Sequence, residues 1–382
     1  MTTKDRDVNG KTSEDDLDGL EEEDLGDSSE NPSLDKPFDP RKVDVSITTP
    51  NLGALIERLR HQEINLVPDF QRSPDLWSQQ AQSRLIESIL IRLPIPAFYF
   101  DALVEDKWQV VDGLQRLSAI KNFIIDKKLR LTKLEFLKEY EGNSYDDLPR
   151  SLQRRIDEFN TSVYLIKPGT PLEMKYSLFH RINTGGLKLT HQEIRHAMSQ
   201  SVRKGIASKF LKEIVENEIF LRVVGSKNNR MSYQELVLRH MAFVILDEKT
   251  YKSSLPKFLD EAMIKLGELP EAKFISLREN FISALETADK LFGKDAFKKT
   301  LAEPEHKKVV NKPLFESVSV CLALIDGEKR SNIVAQKSQF RESFRTLLND
   351  CEFSSSISRS TANTENVQTR FKMIRNLIKQ FT

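Results

Sequence analysis

Gln109-Val110-Val111-Asp112-Gly113-Leu114-Gln115-Arg116 is the stretch on which the reading of this 382-residue chain turns. An apolar run ends in Asp-Gly, and a helical pattern begins at once, from about Leu114 to Ile125. Glycine between strand and helix lets the backbone approach a ligand closely. The helix start presents unpaired N–H groups and the positive end of the peptide dipole, a ready anion site. Arg116 falls in the first helical turn, and an Arg–phosphate contact is charge-assisted, worth about 1.5–3 kcal/mol per hydrogen bond. Asp112 reads as a helix cap, a ligand for a divalent metal or a partner for a ribose hydroxyl. The plainer alternative, Asp112 only a cap and Arg116 only a surface side chain, stays open, because Gly-x-x-Arg is a short and common string.

Working outward, the first half alternates strand and helix signals. Val43, Val45 and Ile47 alternate with polar residues as a strand does. Thr49-Pro50 reads as a cap and first helical position ahead of Leu52, Leu55, Ile56 and Leu59. Ile64–Val67, Ala97–Leu103, Trp108–Val111 and Ser162–Ile166 read as extended. Ser78 reads as the cap of a helix carrying Leu85, Ile86, Ile89 and Leu90; Pro149–Phe159 and the stretch from Pro171 to Ile182 read as further helices. Thr190-His191-Gln192-Glu193 is a capping box. Beyond it the pattern is helical to the end, over about 201–218, 232–246, 255–266, 271–291, 313–325, 332–349 and 364–380. The expectation is therefore an α+β chain: an acidic, disordered tail at 1–42, a mixed α/β domain at 43–198 and an α-helical domain at 199–382.

Charge follows that division. Residues 1–40 hold 14 acidic and 4 basic residues, a net of −10, while the rest of the chain carries +11. A basic body suits phosphate-bearing ligands, and the tail has the composition of a solvated, disordered segment. Cys321 and Cys351 are the only cysteines, too few for a disulfide framework, and point to a reduced, cytoplasmic setting. No apolar run reaches the roughly 18 residues needed to span a bilayer, and the polar, acidic start is not that of a signal peptide.

Two more stretches place amides and guanidinium groups beside turns. Pro68-Asp69-Phe70-Gln71-Arg72, with Trp77 five residues on, sets Gln71 and Arg72 side by side after an extended approach. Phe179-His180-Arg181-Ile182-Asn183-Thr184-Gly185-Gly186 ends a helix and leads into the capping box with Glu193 and Arg195. Each alone also reads as an ordinary connection, the first anchored by core aromatics and the second by a glycine cap.

Taken in order, Pro68-Asp69-Phe70-Gln71-Arg72, Leu93-Pro94-Ile95-Pro96, Val111-Asp112-Gly113-Leu114-Gln115-Arg116 and Arg181-Ile182-Asn183-Thr184-Gly185-Gly186 with Gln192-Glu193-Ile194-Arg195 resemble one family. It is the N-terminal domain of GmrSD-type modification-dependent restriction enzymes, a ParB/sulfiredoxin-like domain, matched over about residues 45–200. Ser360-Thr361, Val367 and Arg370-Phe371 resemble the way stand-alone members end. The resemblance implies a nucleotide-binding and often nucleotide-hydrolysing domain of prokaryotic defence against phage DNA, acting with a separate nuclease or effector. Its implied cofactors are a nucleoside triphosphate and Mg²⁺.

The resemblance places the hydrolytic and phosphate-binding signature on Asp112, Gly113, Gln115 and Arg116, with Asp112 as metal ligand. Gln71 and Arg72 match its Gln-Arg pair, and Arg181, Asn183, Glu193 and Arg195 its later motif. Leu114 stands where the family has a second Gln. On this reading Arg116 and Arg72 neutralise phosphates, and Gln115 positions a water oriented by Asp112 with a metal. Two other readings stay open: a non-catalytic sensor of modified DNA that recruits an effector, and a DNA nuclease in its own right. The His-Asn-His nuclease domain of GmrSD-type enzymes is not expected, because His240 and His306, the histidines deepest in the helical half, sit in no metal-binding motif.

Overall fold

The computed structural model describes residues 19–26, 44–66, 77–104, 107–182, 190–199, 203–225, 231–252, 254–302, 304–306 and 308–382. The chain divides into two compact units, residues 34–204 and residues 1–33 with 205–382. It is α+β, with the sheet in the first unit and helices throughout the second.

Among the described residues the α/β unit has five strands: β1 (Val45–Thr48), β2 (Ile64–Asn65), β3 (Phe98–Val104), β4 (Lys107–Asp112) and β5 (Val163–Ile166). They lie in the order β1-β5-β3-β4-β2. β3 pairs antiparallel with β4 and parallel with β5, β2 runs parallel to β4, and β1 closes the other edge antiparallel to β5. Alternation along the strands sends Phe98, Phe100, Val110 and Val163 to one face. There they join a core with side chains of α1 (Leu52–Arg60), α2 (Gln79–Leu90), α3 (Leu114–Ile124) and α4 (Arg150–Asp157). Asp101 and Gln109 point to the opposite face, which α5 (Leu172–Ile182) reaches through Lys175; α6 (His191–Ser199) follows.

The caps follow side-chain chemistry. Ser78 accepts from the Ala81 N–H and opens α2, as expected. At α1 the cap is Asn51, whose side chain accepts from Ala54; Pro50 lies just before it, and its carbonyl accepts from Thr161 instead. An amide oxygen is the better N-cap, and Thr49 therefore yields the role. The capping box stands as read: Glu193 Oε2 accepts from the Thr190 N–H at 2.7 Å, and the Glu193 N–H donates to Thr190 Oγ1 at 3.2 Å.

The helical unit comprises α7 (Ile206–Val215), α8 (Glu218–Val223), α9 (Ser232–Leu246), α10 (Leu255–Glu268), α11 (Glu271–Phe292), α12 (Lys312–Ala323), α13 (Gly327–Ala335), α14 (Lys337–Leu348), α15 (Cys351–Ser356) and α16 (Thr364–Lys379). Its core is rich in phenylalanine: Phe243 packs against Phe258 and Phe371, and Phe281 and Phe297 against Phe315. The single helix expected over 332–349 is two, broken at Gln336.

The acidic stretch read as disordered needs correction over residues 19–26. Leu20 forms a parallel bridge with Val310, and Leu20 and Leu25 pack on the helical core. Glu23 ion-pairs with Arg239, which is almost wholly buried in α9. Composition predicts solvation, but a buried guanidinium needs a carboxylate, and Glu23 supplies one. The helical unit is thus discontinuous in sequence, with the α/β unit inserted between its first segment and its helices.

Candidate functional site at the end of the sheet

β4 delivers Asp112 to the end of the sheet, and the chain turns into α3 at Gly113. Gly113 has φ 99°, in the left-handed region, and a Cβ there would lie 2.5 Å from Phe98 Cδ1. Glycine is thus required twice, by conformation and by space. No described side chain caps α3, so its first turn keeps N–H groups and dipole for a ligand.

Arg116 stands differently from its sequence expectation. It is 8% exposed. One terminal nitrogen donates to Pro96 O and to Ala97 O at 3.2 Å, and the other donates to Asp112 Oδ2 at 2.5 Å. Its guanidinium carbon lies 5.0 Å from the centre of the Phe98 ring. Arg116 therefore pins the β4–α3 turn to the segment entering β3. Burial pushes the Asp112 carboxyl above the usual carboxylate range, against the pull of the Arg116 guanidinium and the Gly113 N–H.

Gln115 links this turn to the chain ahead of α2. Its Oε1 accepts from the Trp77 N–H at 3.2 Å, while its Nε2 is buried with no partner among the described residues. Leu114, in place of a second Gln, packs against the core. Gln71 and Arg72 lie outside the described residues. Leu66 follows β2, which runs parallel to β4, and Trp77 is bonded to Gln115.

The described residues of the later motif engage partners of their own. Asn183 lies outside the described residues, and Arg181 is described in its backbone alone, near the end of α5. Glu193 is spent on the capping box. Arg195 is buried, with a terminal nitrogen donating to Gln192 Oε1 at 3.3 Å.

For a metal, the expected ligand is Asp112, and its carboxylate is already the counter-ion of Arg116. No group of three or more His, Cys, Asp or Glu that could hold a metal ion occurs among the described residues. The residues described do not fit a metal centre, and no step below is routed through one. His240 is a core residue, its Nδ1 2.8 Å from Ser319 Oγ. Its ring stands edge-on to Phe281, and burial holds its pKa down at about 3.

Two polar features escaped the sequence. Asp101, fully buried on β3, ion-pairs with Lys175 at 2.5 Å, and Glu87 on α2 accepts the N–H groups of Glu135, Phe136 and Leu137 at 2.7–3.0 Å. Burial alone would raise the Glu87 carboxyl, yet these three bonds hold it below its ordinary range. The partners of both are far away in sequence, although the polar Asp101 within an otherwise apolar strand was a visible signal.

Residues 54–199 match the family model described as the GmrSD restriction endonuclease N-terminal domain. The chain carries a domain of this family, and such a domain marks it as a component of a restriction or antiphage system. No curated protein and no solved structure matches the chain. Among the described residues no helix is long and apolar enough to cross a membrane.

Proposed function

We infer that the α/β unit binds a nucleoside triphosphate at the β4–α3 turn and hydrolyses it, within a restriction system that acts on DNA together with a separate nuclease. The observation that carries this reading is the left-handed Gly113 turn, which opens α3 without a described side-chain cap beside the buried, unpartnered Nε2 of Gln115. Backbone N–H groups and one amide donor at a helix start suit a phosphate. Arg116 is then a positioning residue: it fixes Asp112 and Gly113 so that these donors are aimed before the ligand arrives. Asp112, its carboxyl pushed up by burial, would hold the attacking water as hydrogen-bond acceptor, and Gln115 would orient it. Gln71 and Arg72, on the stretch between Leu66 and Trp77, would meet the outer phosphates.

The closed Asp112–Arg116 pair favours a second reading, a module that binds nucleotide or modified DNA without turnover and recruits an effector. Phosphate release and nucleotide retention, each measured with and without DNA, separate the two. Turnover lost in Gln115→Ala, with thermal stability kept, supports hydrolysis; retention without release supports the sensor. If the wild type neither retains nor turns over any nucleoside triphosphate, the site reading fails.

A further inference from the structure

Residues 19–26 are held as a peptide-binding groove holds its ligand. Main-chain bonds run both ways: the Glu21 N–H donates to Val310 O and the Val310 N–H to Gly19 O, each at 2.9 Å. The Thr361 N–H donates to Asp24 O at 2.8 Å. Three carboxylates each have their own donors. Glu21 takes Lys299 Nζ at 2.8 Å and Asn311 Nδ2 at 2.9 Å. Glu23 takes Arg239 and, at 2.6 Å, the Thr361 hydroxyl. Asp24 takes the Ser360 N–H at 3.1 Å. Pairing of extended backbone with side-chain pockets is a recurring mode of peptide recognition.

The groove also has internal partners that persist without this segment. Arg239 keeps Glu235 at 3.2 Å and Glu316 at 3.6 Å. Asn311 keeps the Ile357 carbonyl and caps α12 through Leu314. Arg370 keeps Glu316 and the carbonyls of Ser356 and Thr361. The segment joins the unit's backbone through one isolated bridge, Leu20 with Val310, rather than through a helix or strand of its own, and the whole α/β unit separates it in sequence from the helices it joins. We propose that the Arg239–Lys299–Asn311–Thr361 groove is a receptor site for an extended acidic peptide, with residues 19–26 as its resident, displaceable ligand and an acidic segment of a partner protein as its competitor. Main-chain pairing with Val310 favours a polypeptide over a nucleic-acid backbone, which offers no such donors and acceptors in register.

The test uses the full chain with a specific protease site placed within 27–33. After cleavage the amino-terminal fragment should stay bound through gel filtration and exchange with excess labelled synthetic peptide of residues 17–28. The same peptide with Glu23→Ala should compete about thirtyfold less well, the span for losing one partner of a buried charge pair. In the uncut chain, Glu21→Ala should raise affinity for the labelled peptide at least tenfold over wild type, with an unchanged circular dichroism spectrum. A fragment that never exchanges from the folded chain, or a Glu21→Ala chain that gains no peptide binding, overturns the proposal. So does displacement by duplex DNA as effective as by peptide, which would reassign the groove to phosphates.

Discussion

Arg116 in the α/β unit and Arg239 in the helical unit are both buried arginines, yet their surroundings differ in kind. Arg116 is held by two backbone carbonyls and one carboxylate, Asp112, whose side chain keeps a quarter of its surface in solvent. Arg239 is surrounded by Glu23, Glu235 and Glu316. The first arrangement orients a turn and leaves the Asp112 carboxylate partly in solvent. The second cancels charge so that a helix can sit in the core. An arginine near a candidate site is therefore informative only with its partners named: carbonyls aim it, and surrounding carboxylates neutralise it.

The comparison breaks first at Glu316, which is fully buried and pairs with both Arg239 and Arg370. Glu316→Ala leaves two guanidinium groups short of countercharge. It should cost about 3–5 kcal/mol in urea denaturation of the full chain. A loss below 1 kcal/mol would mean that Glu23 and Glu235 suffice. The α/β counterpart is Gly113→Ala, which forces a Cβ onto Phe98 in a left-handed conformation. It should cost about 2–3 kcal/mol and also abolish nucleotide retention. Retained binding would move the site away from this turn.

How far the sequence disclosed these two regions depends on the range of the interactions. The Asp112–Gly113 turn was legible because strand, glycine and helix are contiguous, and the Thr190–Glu193 capping box spans four residues. Arg116's role was not, since the carbonyls of Pro96 and Ala97 approach it only through the β3–β4 pairing. The Glu23 contact was hidden twice, by a partner over two hundred residues away and by acidic neighbours that make the whole stretch look solvated. Asp101 with Lys175 is the same lesson within the sheet.

A pH series sharpens the contrast from the side of the helical unit. His240 is uncharged in the folded core, its pKa lowered by burial to about 3, against about 6.5 when unfolded. Its contribution is therefore complete above pH 6.5 and drains as pH falls toward 3, because the unfolded chain binds the extra proton. Between pH 6.5 and 5 the wild type should lose about 2 kcal/mol through this group. His240→Asn should flatten that slope. Glu23, at about 2 when folded against an ordinary 4.5, loses its contribution as pH falls from about 4.5 toward 2 and should change the slope little above pH 5.

The smallest expected effect separates two helix starts within the α/β unit. α6 satisfies its own first turn through Thr190 and Glu193, which leaves fewer of its N–H groups open to an anion. α3 opens on Gly113 with no described cap. Thr190→Ala should therefore lower stability by about 1 kcal/mol, the usual value of a lost N-cap, while nucleotide retention stays at the wild-type level. Glu193→Gln keeps an acceptor for the Thr190 N–H and removes the charge, so retention should again hold. If Glu193→Gln instead releases nucleotide at unchanged stability, Glu193 touches the ligand. The phosphate site would then extend from the head of α3 to the head of α6.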